Sequence, residues 1–346
     1  MFKVSIIGAT GYTGAELVRL LSSHPEVKLA GLTTQSYAGR HFWEVYPHLY
    51  KHTEIICEEQ NIPELISRSE VIFSALPHGH SMTAASEAAQ QRKVFIDLAA
   101  DFRFRNPATY ESWYKVEHTA RKLTNKAVYG LPEIYRKEIA AAQLVANPGC
   151  YPTSVVLGLA PLLKKGLIAT DSIIIDSKSG VSGAGRGLSL NVHYCEANEN
   201  IKAYGVTTHR HTPEIEQELS MLAGQDVVVS FTPHLIPITR GILSTIYARL
   251  NSALNTEEAL ILYQEFYAGE PFIRILPAGM LPATKMVAGS NHCDVGIVAD
   301  HRTGRIIVVS AIDNLIKGAS GQAVQNMNIV LGLPEETGLS GPGIYP

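Results

Sequence analysis

The start of the chain joins a short strand, a glycine-rich turn and a helix. Lys3–Ile7 is apolar and rich in β-branched residues, Gly8–Gly14 has glycine at every third position, and Ala15–Leu21 follows as a helix-forming segment. In this order of elements, backbone amides at the helix N-terminus can receive a pyrophosphate. The alternative is a tight turn that binds nothing, but the flanking strand and helix favour a dinucleotide-binding βαβ unit.

The segment after the second predicted strand indicates which dinucleotide is bound. Val27–Leu32 has the composition of a strand, and Thr33–Arg40 after it contains no carboxylate. An NAD site normally has Asp or Glu about 20 residues past the glycines, where it holds the ribose hydroxyl. Ser36 and Arg40 can instead hold a 2′-phosphate, so the sequence predicts NADP(H). The alternative for Arg40 is an ordinary solvated surface charge.

Cys150 is the candidate nucleophile. It follows Gly149 and lies between Pro148 and Pro152, where an apolar strand-like run gives way to an apolar helix-like run. A thiol near a helix N-terminus experiences the positive end of the helix dipole, which favours the reactive thiolate. The alternative is a small buried thiol without chemistry.

The composition indicates two domains and reduced thiols. At 346 residues, with 46% hydrophobic and 18% charged, the chain is long and apolar enough for about two domains. A net charge of −3 gives no reason to expect nucleic acid or an anionic membrane as a partner. The first strand begins at Lys3, so no signal peptide is expected, and no apolar run is long enough to span a bilayer. The four cysteines lack metal-type spacing, so we expect no metal and a cytoplasmic location.

The order of predicted elements indicates the α/β class. Three strands between residues 71 and 146 alternate with helical stretches, which is typical of a Rossmann-type domain with a parallel sheet. After Cys150, longer strands predict an α+β catalytic and dimerisation domain with a mixed, largely antiparallel sheet. We assign residues 1–149 to the NADP-binding domain, with 314–346 returning to it through a helix over 314–331. Residues 150–313 form the predicted catalytic and oligomerisation domain.

Several motifs together resemble a known family. They are Gly8–Gly14, Ser74–Gly79, Asp97–Arg103, Tyr129–Glu133, Asn147–Thr153, Ser177–Gly187, His209–Glu214 and Lys317–Ala323. In their order and spacing, over essentially the whole chain, they resemble the N-acetyl-γ-glutamyl-phosphate reductase family of arginine biosynthesis. The aspartate-semialdehyde dehydrogenases are more distantly similar. Those dehydrogenases usually have Asn immediately before the cysteine, and Gly149 at this position favours the reductase family.

The residues fit the chemistry that this resemblance implies. Reducing an acyl phosphate requires a nucleophile to expel phosphate, a hydride donor and a proton shuttle. Cys150 can form a thioester, and either His209 or His211 can take the thiol proton. In an extended segment these two histidines would share one face. A zinc pair is the rival interpretation, but no nearby Cys or His cluster offers the further ligands. The resemblance implies that His211 is the acid/base and that His209 lies nearer the substrate.

Other positions complete the predicted site. The resemblance matches Arg103 to a phosphate-gripping arginine, with a surface salt bridge as the alternative. Lys178 flanks a glycine-rich segment, which can position substrate or can be a flexible turn, and Arg240 can bind the substrate carboxylate. The predicted cofactor-binding residues are Gly8, Thr10, Gly11, Tyr12, Thr13, Gly14, Ser36, Arg40, Leu76, Pro77, Ser179, Gly180 and, by resemblance, Asn314.

Three alternatives remain open at this point. Short-chain reductases share the glycine loop but use Tyr and Lys four apart, and none of the 15 tyrosines has Lys at that offset. A non-catalytic NADP-sensing protein would have no need for Cys150 or for the two histidines. A related acyl-phosphate reductase, such as an aspartate-semialdehyde dehydrogenase, is the third alternative. We expect an enzyme with a small-molecule acyl-phosphate substrate, and the resemblance implies a homo-oligomer, a dimer or a tetramer.

Overall fold

In a computed structural model, which describes residues 1–345, the chain divides into two compact units. The first comprises Met1–Pro148 and Ala319–Ser340, and the second comprises Gly149–Gly318 and the chain from Gly341 onward. The sequence assigns all of 314–346 to the first domain, whereas the structure groups 314–318 and the chain end with the second unit. The chain end does so because the Ile344 amide donates to the Ala288 carbonyl at 2.7 Å.

The elements alternate between strand and helix along the chain. The strands are β1 (Phe2–Ile7), β2 (Val27–Thr33), β3 (Cys57–Glu58), β4 (Val71–Ser74), β5 (Val94–Asp97), β6 (Ala127–Tyr129), β7 (Leu144–Ala146), β8 (Ile174–Gly180), β9 (Lys202–Ala203), β10 (Ser230–Ile236), β11 (Ile242–Arg249), β12 (Ile273–Ile275), β13 (Cys293–Asp300) and β14 (Arg305–Ile312). The α-helices are α1 (Tyr12–Ser22), α2 (Phe42–Val45), α3 (Ile62–Ser67), α4 (Met82–Gln90), α5 (Pro107–Tyr114), α6 (Arg121–Thr124), α7 (Pro132–Ala140), α8 (Cys150–Lys164), α9 (Tyr194–Ala197), α10 (Thr212–Ala223), α11 (Thr256–Phe266), α12 (Thr284–Val287) and α13 (Gly321–Val330). Short 3₁₀ helices cover Pro47–Leu49, Val181–Ala184 and Leu190–Val192.

The first unit is built on a parallel sheet with the strand order β3-β2-β1-β4-β5-β7-β6. Its central strands are near-continuous apolar runs, since helices cover both faces of such a sheet. The strand order reverses between β1 and β4, and a crevice for ligands forms at such a point, outside the carboxyl ends of the strands. The predicted Rossmann-type arrangement is confirmed.

The second unit is built on a mixed sheet with the order β12-β13-β14-β11-β8-β10-β9, in which β13, β14, β11 and β8 pair antiparallel. Helix α8 packs against β11 and β14. Three buried serines lie in register across β8, β11 and β14, and Ser154 of α8 joins their hydroxyl chain, bonding to Ser244 at 2.9 Å and to Ser310 at 2.5 Å. Since buried hydroxyls require partners, this chain fixes α8 on the sheet.

The last helix begins later than the sequence predicts. The Asp313 carboxylate accepts hydrogen bonds from the amides of Leu315 and Ile316 at 2.8 and 3.2 Å, which forms a turn where 314–331 predicts helix. Such side-chain bonds offer the backbone an alternative to the helix. Ile316–Ser320 follows as a π-helix, and α13 then packs against α1 and α7 of the first unit.

None of the helices in the described residues 1–345 combines the length and the apolarity that crossing a bilayer requires.

Candidate active site

Cys150 is the first residue of α8 and is half-buried. Gly149 precedes it as the helix N-cap, and the Gly149 amide donates to Glu214 Oε1 at 2.8 Å. The Thr153 hydroxyl donates to the Gly149 carbonyl at 3.0 Å from inside the first turn. The thiol therefore lies at a helix N-terminus, where the dipole favours the thiolate.

Gly318 lies directly against the candidate nucleophile, Cys150. A Cβ at this position would be only 2.8 Å from Cys150 Cβ and 3.3 Å from its Cα. The Gly318 amide donates to the Asp313 carbonyl at 2.9 Å, which holds the backbone in this place. A larger residue at 318 would displace the thiol, so glycine is required by close approach.

His209 and His211 lie in an aromatic cluster with Tyr151 and Tyr204. The His209 ring centroid is 5.0 Å from that of His211 and 5.5 Å from that of Tyr151. The hydroxyl oxygens of the two tyrosines are 3.0 Å apart. The segment is not extended at His211, which has helical φ −81° and ψ −13° as the N-cap of α10, so the two rings meet without the alternation that an extended segment would give. Since Tyr151 follows Cys150 in the chain, the cluster brings both imidazoles to the start of α8.

The environment of the two histidines differs. Burial, together with the charge of Arg210, lowers the pKa of His209 to about 4, so this ring is neutral near pH 7. Its Nδ1 accepts a hydrogen bond from the His211 amide at 3.1 Å, which leaves the ring proton on Nε2. Burial also raises the pKa of Tyr204 to about 12. His209 is thus a poor proton acceptor at neutral pH, which favours His211 for that role.

The lowered pKa of His209 predicts a loss of stability in acid. The unfolded chain binds a proton here near pH 6.5 and the folded chain only near pH 4, so stability falls as the pH drops through that window. His209→Asn removes this term. Between about pH 7.5 and pH 5 we expect the melting temperature of both proteins to fall. The fall in the variant should be smaller than the fall in the wild type by about 2 °C or more.

Differential scanning fluorimetry at the two pH values measures this difference. Burial lowers the pKa of His24 and His292 as well, but both contribute equally to wild type and variant. Equal falls in the two proteins would show that His209 takes up its proton in the folded state as readily as in the unfolded chain.

Ser179, Gly180 and Arg240 meet at one end of the second sheet. A Cβ on Gly180 would lie 2.8 Å from the backbone nitrogen of Arg240, so the end of β8 touches the turn before β11. Ser179 is buried, and its hydroxyl donates to the Gly180 carbonyl at 3.1 Å. Arg240 Nη1 is 3.5 Å from Oδ2 of the fully buried Asp313, while its own side chain remains about 30% exposed. The guanidinium is therefore anchored but still reachable by an anionic group.

Asn314 joins the same cluster through its amide. Its Oδ1 accepts from the Gly241 amide at 2.7 Å, and its Nδ2 donates to the Ser182 hydroxyl at 3.0 Å. Asn314 is 2% exposed, so these bonds hold the turn before β11 against the segment after β8.

Lys178 lies on the opposite face of the second sheet from Ser179, because successive strand residues alternate. Its Nζ is 2.8 Å from Asp176 Oδ1, and His234 Nδ1 is 3.1 Å from the same oxygen. The structure therefore does not bring Lys178 together with Ser179 and Arg240.

The glycine loop Gly8–Gly14 connects β1 to α1 in the first unit. Gly8 has φ +79°, and a Cβ there would lie 2.9 Å from the Ala75 carbonyl oxygen. A Cβ on Gly14 would lie 2.6 Å from the Gly8 carbonyl oxygen, so both positions require glycine. Within residues 1–345, no acidic side chain occupies the first turn of α1, which begins at Tyr12. The loop and the open helix N-terminus fit the pyrophosphate of a dinucleotide.

Threonine hydroxyls tie this loop to the end of β2. Thr10 Oγ1 is 2.9 Å from Thr34 Oγ1, and the Gly8 amide donates to Thr33 Oγ1 at 3.3 Å. The Tyr46 hydroxyl donates to the Thr10 carbonyl at 3.0 Å, and the Ser320 hydroxyl donates to the Thr13 carbonyl at 2.8 Å.

Ser36 and Arg40 follow β2 and are both exposed. The Ser36 amide donates to Thr34 Oγ1 at 3.4 Å, which links this segment to the glycine loop. The Arg40 backbone is held by bonds to Tyr37 and Cys57, at 3.2 and 2.8 Å. The Arg40 guanidinium therefore extends into solvent from a fixed backbone. Because β1 and β2 are parallel, this segment and the glycine loop follow strands that end at the same edge of the sheet.

Leu76 and Pro77 follow β4 in the same crevice. Leu76 Cδ2 lies 3.2 Å from where a Gly8 Cβ would be, so these two predicted positions come together. The loop after Pro77 is held by Asp101, whose carboxylate accepts from the Gly79 amide at 2.7 Å and from the Ser81 amide at 3.0 Å.

Arg103 is 5% exposed, so the surface salt bridge is excluded as its role. Its Nε donates to the Asn147 carbonyl and its Nη2 donates to the Leu98 carbonyl, each at 2.8 Å. Burial, with the neighbouring Asp101 carboxylate, raises the pKa of Asp97, and the charge of Arg103 opposes that rise. Arg103 thus joins the ends of β5 and β7.

Sequence reasoning missed Glu214, Tyr151, Tyr204 and Gly318 as site residues. For Glu214 a signal existed, because it shares the inward face of α10 with Ile215 and Leu219. A carboxylate on an apolar helix face is a candidate for a buried role. Among the residues that the structure describes, no group of three or more His, Cys, Asp or Glu could hold a metal ion.

Comparison with known proteins decides the family. Residues 3–142 match the NAD-binding domain of semialdehyde dehydrogenases, and residues 150–314 match their dimerisation domain. An N-acetyl-gamma-glutamyl-phosphate reductase of Pelotomaculum thermopropionicum is 67% identical over 344 residues, covering 99% of each chain. The reductase of Desulforudis audaxviator is 62% identical over the whole of both chains. The chain belongs to the N-acetyl-γ-glutamyl-phosphate reductase family.

Solved structures agree on the fold. An aspartate semialdehyde dehydrogenase II of Vibrio cholerae has a TM-score of 0.74 at 18% identity and covers 96% of this chain and 99% of its own. An aspartate semialdehyde dehydrogenase of Candida albicans, solved with NADP, has the same TM-score and identity over 96% of this chain and 99% of its own. The predicted fold class and the recognised reductase family are confirmed. As a member of that family the protein is an oxidoreductase, and its first domain binds a nicotinamide dinucleotide. The roles of individual residues stay predictions.

Proposed function

We propose that the protein catalyses the NADPH-dependent reduction of N-acetyl-γ-glutamyl phosphate to N-acetylglutamate 5-semialdehyde and phosphate, in arginine biosynthesis. The observation that carries this proposal is Cys150 at the start of α8, with the His209 and His211 rings against the ring of the next residue, Tyr151, in a chain alignable from end to end with reductases of that name. The free cysteines support a cytoplasmic location, and the matched dimerisation domain supports a homodimer or a homotetramer.

In the first step His211 takes the thiol proton and Cys150 Sγ attacks the acyl carbon. A C–S bond forms, the C–O bond to the phosphate breaks, and phosphate leaves with that electron pair, so a thioester remains on the enzyme. The helix dipole at Cys150 supports the thiolate. When bound, NADPH supplies the hydride that reduces the thioester carbon. In the last step the C–S bond breaks, its electron pair returns to sulfur, and the imidazolium of His211 returns the proton to the thiolate.

The substrate is an anion at both ends, and the chain offers cations for it. Arg240 is the best-placed one in the second unit, because it is anchored on Asp313 and partly exposed. Arg103 remains the proposed phosphate grip by resemblance. Lys178 is the weakest candidate, since it pairs with Asp176 on the opposite sheet face from Ser179.

The preference for NADPH rests on Ser36 and Arg40. We expect Arg40→Ala to raise the Kd for NADPH about 10-fold and to leave the Kd for NADH nearly unchanged. A 10-fold change is at the lower end of the range for charge-assisted hydrogen bonds, because the Arg40 side chain is exposed. The quenching of intrinsic fluorescence by each cofactor measures both constants. Lys28→Ala is the matched control, because it removes one exposed cation near the other end of β2. Equal losses for NADPH and NADH would show that Arg40 does not read the 2′-phosphate.

A substrate panel run in reverse tests the function itself. With NADP and phosphate present, N-acetylglutamate semialdehyde should be oxidised, and aspartate semialdehyde should be at least about 100-fold slower in kcat/KM, since one substrate bears an acetyl group and the other a free amine. Faster turnover of aspartate semialdehyde would assign the chain to that activity. Absence of turnover with intact NADP binding would favour the sensor.

A further inference from the structure

Asp313 is a fully buried carboxylate that directly follows β14. Its Oδ1 accepts the amides of Leu315 and Ile316, and its Oδ2 accepts the Gly289 amide at 2.8 Å. The same Oδ2 lies 3.5 Å from Arg240 Nη1. Because a buried carboxylate requires such donors, these contacts hold the Asp313 side chain in one place within the second unit.

The backbone of Asp313 reaches the candidate nucleophile. Its carbonyl accepts the Gly318 amide at 2.9 Å. A Cβ on Gly318 would lie 2.8 Å from Cys150 Cβ, so no side chain separates this stretch of backbone from Cys150. The carboxylate of Asp313 therefore holds Arg240, while its carbonyl holds the glycine that lies against Cys150. One residue thus relates the position of the cation to that of the nucleophile.

The proposed substrate has a fixed length between the two groups that would bind there. In an N-acetylglutamyl derivative, two methylene groups separate the carbon that bears the carboxylate from the acyl carbon, and in the aspartyl derivative there is one. An acyl carbon must lie about 3–3.5 Å from the attacking atom. A cation held at one place relative to the nucleophile therefore selects one chain length, and a cation that shifts accepts the shorter chain as well.

We propose that Asp313 is a positioning residue that determines the chain length of the substrate, by holding the Arg240 guanidinium at a fixed place relative to Cys150. The proposal rests on the proposed function, in which Arg240 binds the substrate carboxylate and Cys150 attacks the acyl carbon. The Arg240 side chain is about 30% exposed, so loss of its anchor on Asp313 lets the guanidinium shift toward solvent.

The test compares two buried aspartates that each pair with an arginine. Asp313→Asn keeps the size and one acceptor oxygen but removes the charge beside Arg240. Asp294→Asn is the matched control, because Asp294 of β13 is also fully buried and its Oδ1 lies 2.6 Å from Nε of the partly exposed Arg274. Both variants break an ion pair at a buried carboxylate and should lose stability, so a difference between them reports position.

The first readout is chain-length selectivity in the reverse direction, with NADP and phosphate present. It is the ratio of kcat/KM for N-acetylglutamate semialdehyde to kcat/KM for N-acetylaspartate semialdehyde, which differ by one methylene group. We expect Asp313→Asn to lower this ratio about 10-fold, since one methylene group is worth about 10- to 200-fold in such a comparison. Asp294→Asn should keep the wild-type ratio, whatever its stability.

The second readout needs no substrate. Phenylglyoxal modifies arginine side chains, and peptide mass spectrometry gives its rate at each arginine. We expect Arg240 to be modified about 3-fold faster in Asp313→Asn than in the wild type, as befits the loss of a partly exposed ion pair. In Asp294→Asn the rate at Arg240 should stay unchanged, while the rate at Arg274 should rise.

An unchanged selectivity ratio in Asp313→Asn would overturn the proposal, as would an equal fall in Asp294→Asn or an unchanged rate of modification at Arg240. If Asp313→Asn does not fold, Asp313→Glu takes its place, because it keeps the charge but displaces the carboxylate by one methylene group. A wild-type ratio in that variant also overturns the proposal. Failure of the proposed function looks different, since the wild type would then oxidise neither semialdehyde while Arg240 would still be modified faster in Asp313→Asn.

Discussion

Replacing Cys150 with alanine should lower kcat by at least about 10⁴-fold while NADPH binding stays at the wild-type level. Loss of a nucleophile removes the covalent route altogether, and single losses of this kind cost about 10⁴- to 10⁶-fold in other enzymes. The variant should fold, because the half-buried thiol contributes little packing and alanine is a good helix former. Steady-state reduction and NADPH titration measure the two effects.

The other cysteines supply the control. Cys57 and Cys293 are buried, and burial raises the pKa of Cys57 to about 11, so only Cys195 is an exposed competitor. We expect Cys195→Ala to retain full activity. At about pH 6.5 iodoacetamide should label Cys150 ahead of Cys195, since the thiolate fraction controls the rate. Preferential labelling of another cysteine, together with retained activity of Cys150→Ala, would remove Cys150 from the mechanism.

Changing His211 to asparagine should slow thioester formation by about 10²- to 10⁴-fold, the usual contribution of a general base. The acid limb of the rate–pH profile should also flatten, because the group that must be deprotonated there is gone. A pre-steady-state burst of phosphate release reports thioester formation directly, before hydride transfer. Asparagine keeps the polarity and the approximate size of histidine, so the variant should fold.

His209→Asn is the matched control for this measurement. The pKa of His209 is lowered to about 4, so it is neutral across the working range, and its loss should act mainly on KM. Rapid phosphate release in His211→Asn with slow release in His209→Asn would reverse the two roles. Rapid release in both would mean that Cys150 is activated by the α8 terminus and its neighbours without a histidine.

Features set by short stretches of backbone could be predicted from the sequence. The glycine loop Gly8–Gly14 is one, because positive φ and close backbone approach at Gly8 and Gly14 require glycine in any structure. The position of Cys150 near a helix N-terminus is another, because the prolines and Gly149 mark where a strand gives way to a helix, although α8 begins at Cys150 itself and not after Pro152. The parallel sheet followed from alternating strand and helix patterns, for the same local reason.

Features that depend on distant partners required the tertiary structure. In an extended segment His209 and His211 would share one face, but His211 is the N-cap of α10, and the two rings meet in the cluster around Tyr151. The burial of Arg103 depends on carbonyls of the residues that directly follow β5 and β7, and the delayed start of α13 depends on the Asp313 turn. Local patterns determine which backbone shapes a chain can adopt, but the sequence alone carries no distances between residues far apart in it. Whether Glu214 lies in solvent or 2.8 Å from the Gly149 amide was therefore decided only when α10 packed against α8.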